Sequence, residues 1–145
     1  MYLGLKHLHS TLAYVALLAL VVAVVMLWIA SRGGKPFLKT EKRWALIGLI
    51  SAHLQLVIGL VLYFVSHVGY SNLSGEVMGD KIGRLYALEH PLTMIIGIIF
   101  ITLGYARAKR ASEDKRKYKF LVLFYGLGLL LILLRIPWHV WPPLG

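Results

Sequence analysis

Apolar and charged positions alternate along this chain on a scale of about twenty residues, longer than the periods of a surface helix or a half-buried strand. From His9 to Ser31 the sequence reads HSTLAYVALLALVVAVVMLWIAS, with no acidic or basic residue until Arg32. Comparable runs cover Trp44–Val65, Leu85–Ala106 and Phe120–Trp138. A hydrocarbon core about 30 Å thick is crossed by about 20 helical residues. Lipid offers no partner for backbone N–H and C=O groups, so such segments form helices that satisfy them internally. The pattern therefore predicts an all-α membrane protein: one domain over 1–145, a bundle of four transmembrane helices running up-down-up-down. The stretch DKIGRLYALEH allows the third helix a further turn outward, and SHVGYSNLSGEVMGDKIG, rich in Gly, Ser and Asn, reads as a surface connection.

Composition agrees with a bilayer as the solvent: 59% of the 145 residues are hydrophobic and 15% are charged. The absence of cysteine excludes disulfides, thiolate metal sites and iron–sulfur clusters, and leaves histidine as the strongest metal ligand. A net charge of +10 would suit a nucleic-acid partner, but the basic residues lie in short runs between the spans. SRGGKPFLKTEKR carries five Lys/Arg and RAKRASEDKRKYK carries seven, whereas the opposite ends hold only Lys6, Lys81, Arg84 and Arg135. The positive-inside bias then places both termini and the middle loop in the periplasm of a bacterial inner membrane, with no role for nucleic acid. The first run is too long for a signal-peptide core and SRGGK follows it instead of a cleavage site, so it is expected to be retained. Trp138, Trp141 and Tyr86 suit an outer aromatic belt, and Trp28 and Trp44 an inner one.

Histidine carries the candidate chemistry. At 1.5 Å per residue, His9, His90 and His139 fall roughly 33, 25 and 30 Å above the cytoplasmic ends of the first, third and fourth helices. His53 falls about 14 Å above the inner end of the second, near mid-membrane, and His67 belongs to the outer loop. A polar group at that depth needs a protein partner, so His53 is expected to point inward with the bulky stripe Leu46, Leu49, Leu60 and Phe64. Gln55 lies on another face with Gly48, Ala52 and Gly59. There it either serves a ligand or bonds a neighbouring backbone where the glycines let helices approach. His90, Gly97 and Gly104 share one face of the third helix. Their spacing serves helix packing, or clears a flat surface for a macrocycle held by the histidine. Pro91 should bend this helix and free a carbonyl one turn earlier.

Haem b suits buried histidines on separate helices with no thiolate present. His9 and His90, on different helices at similar depth, are the expected axial pair for the haem iron. His7, two residues from His9, points roughly the opposite way, so only one of the two can face a given ring, preferably His9, with the other at the water boundary. The candidate cofactor-binding residues are His9, His90, His7, His53, Gly97, Arg84 and Arg135. Arg84, Arg135 and Lys6 lie near that edge, where they could pair with propionates. The motifs HLHSTLA, SAHLQLVIGLVLYF and EHPLTM resemble the small four-helix cytochrome b-like membrane proteins of Bacteroidetes-type bacteria, over nearly the whole chain. More weakly, the order of His9 with Ala13, Gln55 with Gly59, and then His90 is similar to one half of haem A synthase. That resemblance implies His9 and His90 as the axial pair. Ser10 stands where that family has arginine, and its acidic residue before the first histidine is missing, so haem-modifying catalysis is not implied.

Three functions follow as expectations. The first is a haem b-binding electron-transfer or accessory subunit of a larger respiratory complex, with one haem or two. Its quinone or proton groups would be His53, Gln55 and Glu89, the last alternatively a helix cap. The second is a cofactor-free structural subunit that packs through its glycine faces. The third is a copper-handling protein using the outer histidines with Met78 or Met94. No nucleophile constellation, phosphate loop or acidic pair marks an independent enzyme.

Overall fold

The computed structural model describes residues 1–141. It is all-helical, with no strand among the described residues, and four helices are long and apolar enough to cross a membrane: α1 (Tyr2–Arg32), α2 (Lys39–Val65), α3 (Lys81–Arg110) and α4 (Asp114–Leu134). They form a ring in which α1 touches α2 and α4, while α3 touches α2 and α4. The α1–α2 and α3–α4 hairpins make the more extensive contacts. Helices α1 and α3 stand on one diagonal.

Small residues set the close seams. Ala45, Gly48 and Ala52 are the buried face of α2, and a side-chain carbon on Gly48 would come within 3.1 Å of Ala23 Cβ on α1. Between α3 and α4, a carbon on Gly97 would meet the Gly128 carbonyl at 3.1 Å, and one on Gly128 would meet the Gly97 carbonyl at 2.6 Å. Close backbone approach of this kind is how helices gain packing energy in lipid, where no hydrophobic force drives them together. Leu20, Leu27, Ile98, Ile101, Leu121 and Tyr125 fill the centre. Tyr125 is fully buried, and its hydroxyl donates across the other diagonal to the Ala45 carbonyl at 2.7 Å.

The two basic turns close one end. Gly34 takes φ +64°, a left-handed conformation open to glycine, where the chain reverses after α1. The Phe37 N–H donates to Asp114 at 3.0 Å, and Phe37 packs edge-on against Tyr118, so the first turn is fastened to the start of α4. At the other end the connection 66–80 contains two short 3₁₀ turns, Tyr70–Asn72 and Glu76–Gly79. Asp80 then starts α3 by accepting from the Gly83 N–H at 2.7 Å.

Helix α3 is not uniform. It runs as α-helix over Lys81–Arg84, widens to a π-turn over Leu85–Glu89 and resumes as α-helix at His90. Pro91 has no N–H to give, and the carbonyl four residues earlier is that of Ala87. The Tyr63 hydroxyl on α2 donates to that buried carbonyl at 2.8 Å. Helix α4 ends at Leu134, short of the expected Trp138. Pro137 disfavours helix in the residue before it and lacks an N–H of its own. His139 therefore lies in a turn beyond α4, near the Tyr86 ring, and is not carried by the helix.

Candidate functional site

The end opposite the basic turns brings polar groups into the bundle. His9 of α1 and His90 of α3 approach across the diagonal, their ring centres 6.3 Å apart and their planes at 89°. His7 is exposed. His9 sits over Gly59 of α2, where an added side-chain carbon would lie 2.9 Å from Cε1 of the ring. Gly59 thus supplies the space that the imidazole occupies.

Each ring is fixed from behind. His90 Nδ1 lies 2.8 Å from the carbonyl oxygen of Arg135, at the end of α4. A carbonyl only accepts, so this nitrogen carries the hydrogen and Nε2 presents a bare lone pair. The Gln55 amide nitrogen donates to the His9 carbonyl at 2.9 Å and lies 3.1 Å from His9 Nδ1. In this arrangement His9 Nδ1 accepts and its hydrogen sits on Nε2. Gln55 Oε1 is left buried without a partner. Reversing the amide would bring Oε1 to a His9 Nδ1–H, free Nε2, and give up the bond to the His9 carbonyl. The Gln55 side chain is therefore the element that selects the His9 tautomer.

Charged groups surround the mouth of this end. Glu89 bridges Arg84 at 2.8 Å and Arg135 at 3.5 Å, and Arg84 also donates to the Met78 carbonyl at 2.6 Å. Arg84 and Arg135, the candidates for propionates, are engaged here by Glu89 and by backbone carbonyls. The Glu89 side chain makes no capping bond to the helix that resumes at His90. It ties the π-turn of α3 to the residue whose carbonyl anchors His90. Trp141 reaches back to α1, where its indole packs on Tyr14 with ring centres 4.5 Å apart and donates to the Ser10 carbonyl at 3.3 Å.

The structure decides between the two readings of the glycine face and corrects the expected face of His53. Gly97 does not clear a surface for a macrocycle, because Gly128, Leu131 and Ile132 of α4 pack directly on it; Phe120, Phe124 and Tyr125 do the same at Gly104. His53 does not lie on the interior face of α2. The small residues take that face, and Phe64 of the bulky stripe is 63% exposed. His53 sits on the flank toward α3, its Nδ1 2.8 Å from the Leu49 carbonyl and its Nε2 3.3 Å from Thr102 Oγ1. With Leu49, Ile50, Leu54 and Val57 it lines a shallow groove of about 280 Å³.

Tyr63, Thr102 and the Arg135 carbonyl were not singled out by the sequence. Tyr63 was the most accessible of these, since it lies within a quarter turn of the Gln55–Gly59 face of α2. No group of three or more His, Asp or Glu side chains suited to a metal ion occurs among the described residues. Comparison with protein-family models, curated proteins and solved structures finds no match to this chain.

Proposed function

We propose that this chain is a haem b-binding protein of the bacterial inner membrane, with His9 and His90 as the axial ligands and both termini in the periplasm. One observation supports this above the others: two imidazoles from diagonal helices come within 6.3 Å between ring centres, edge-on at 89°. Both residues are nitrogen donors on separate helices, the donor set a haem iron takes where no thiolate is present. A pair of this kind needs no third protein ligand when a porphyrin supplies the remaining four. His90 further has the arrangement usual for a metal-bound histidine, its other nitrogen donating to a backbone carbonyl.

Bound haem would supply one-electron exchange. The chain's own residues would hold and orient it: Arg135 sets the His90 ring through its carbonyl, Gln55 with its amide reversed would free His9 Nε2, and Glu89 fixes the anchor. A small electron-transfer or accessory subunit of a larger respiratory complex is the role that such a chain fits. His53 remains the group placed to meet a quinone from the lipid.

A second reading is supported by a specific observation. The grooves at His53 and at Arg107–Arg116 lie elsewhere, and a T-shaped aromatic contact also spans up to about 7 Å between centres. On that reading the histidines lock a cofactor-free packing subunit. Purification from haem-replete membranes, followed by a pyridine haemochrome assay on wild type and on His90→Ala, separates the two. Haem in the wild type and its collapse in the variant are expected. A purified wild type with no Soret band makes the chain a structural subunit.

A further inference from the structure

The basic end of the bundle holds far more positive charge than its fold uses. Its two turns and their flanks carry twelve Lys/Arg and three acids, Glu41, Glu113 and Asp114. Two of the acids serve the backbone: Glu41 accepts from the Leu38 N–H at 3.0 Å, and Asp114 accepts from Phe37 as well as pairing with Lys117. The third, Glu113, reaches Arg116 only at 3.8 Å. Among the described residues neither Arg107 nor Arg110 pairs with a carboxylate.

This excess of cations is not spread evenly. Arg107 and Arg110 at the end of α3, Ala111 in the turn, and Arg116 and Phe120 at the start of α4 line a groove of about 330 Å³. Guanidinium groups thus reach it from both sides of the turn. Their planar forks match the oxygens of a phosphodiester better than lysine's point charge does. Below them the surface turns apolar. Arg107 stacks on Phe124 at 5.0 Å, and Phe120, Phe124 and Phe100 follow one another along the α3–α4 seam at 6.4 and 6.0 Å between centres. The groove lies where the apolar runs give way to charge, the level at which phospholipid phosphates sit.

We infer that this groove is a binding site for the headgroup of an anionic phospholipid, the arginines holding the phosphate and the phenyl rings flanking an acyl chain. A soluble phosphate ester shares the charge but not the tail, and the ladder of phenyl rings favours the lipid. The inference stands whether or not the histidine pair binds haem. Basic pockets between spanning helices on the cytoplasmic side recognise such headgroups through the same combination of charge and apolar wall.

The test uses the full chain in a neutral detergent at low ionic strength, where charge screening is weakest. Native mass spectrometry would count adducts of phosphatidylglycerol and of phosphatidylcholine, with sn-glycerol 3-phosphate as a tail-less competitor at millimolar concentration. Phosphatidylglycerol should bind in preference to phosphatidylcholine, and the soluble ester should not displace it. The variant Arg107→Gln/Arg110→Gln/Arg116→Gln should lose about tenfold or more of that affinity. The variant Arg32→Gln/Lys35→Gln/Lys39→Gln removes equal charge from the other basic turn and should retain it. Equal loss in both variants would show a diffuse field in place of a site. No preference between the lipids, or full displacement by the ester, would equally overturn the assignment.

Discussion

Tyr63→Phe removes one oxygen and tests whether Pro91 and Tyr63 act as a pair. Ala87 is fully buried, so its carbonyl has no access to water once the 2.8 Å bond from the tyrosine hydroxyl is gone. Leaving a buried acceptor unmade costs about 1–3 kcal/mol in water-soluble proteins. Hydrogen bonds between membrane helices average about 0.6 kcal/mol and reach about 1.7. A loss of about 1–2 kcal/mol is expected here, because the proline removes the donor that would otherwise replace the hydroxyl. The distinguishing measurement is a double-mutant cycle. Pro91→Ala restores an N–H four residues after Ala87, and in that background Tyr63→Phe should cost less by about 1 kcal/mol. Unfolding free energies from denaturing-detergent titration in mixed micelles, followed by circular dichroism, would give all four corners. Costs that add within about 0.5 kcal/mol would mean that the two groups act independently, and Pro91 and Tyr63 would not be a pair.

Other expected outcomes rest on the same contacts. Gly128→Ala drives a carbon to 2.6 Å from the Gly97 carbonyl and should destabilise the α3–α4 seam by about 1–3 kcal/mol. Gly126→Ala, with nothing within 4 Å, should be neutral or stabilising by up to about 1 kcal/mol in the same titration, and a matching loss in both would deny the seam its special closeness. Gly59→Leu fills the space of the His9 ring and should expel it. Carbethoxylation read by mass spectrometry should then rise at His9 toward the level of exposed His7, and an unreactive His9 in this variant would count against the packing described.

The spans were legible because a bilayer imposes a length that uncharged runs reveal directly. Their ends were less so. Hydropathy marks where the hydrocarbon stops, whereas hydrogen bonding carries α1 back to Tyr2 and α3 back to Lys81. The end of α4 was set by Pro137, a local cue outweighed by the apolar run. The face of His53 was misassigned for a physical reason: in lipid, large apolar side chains gain as much outside the bundle as inside. Size therefore does not mark the interior, and the small residues Gly48 and Ala52 do. The same rule makes Gly97 a packing residue. Depth along the helices was enough to bring His9 and His90 together, since parallel rods of known rise fix relative height. The π-turn, the Tyr63 bond and the grip of Glu89 on two arginines depend on contacts between non-neighbouring segments, which the linear pattern does not encode.

The concentration of close seams within each hairpin has a consequence for how the chain assembles. Each helix makes its most extensive contacts with a sequence neighbour across a connection of only a few residues, Gly33–Leu38 in one pair and Ala111–Glu113 in the other. Local partners of this kind cost little loop entropy to bring together. Each pair can thus form as it enters the bilayer, and a single later docking step, across the long connection 66–80, brings the two imidazoles together.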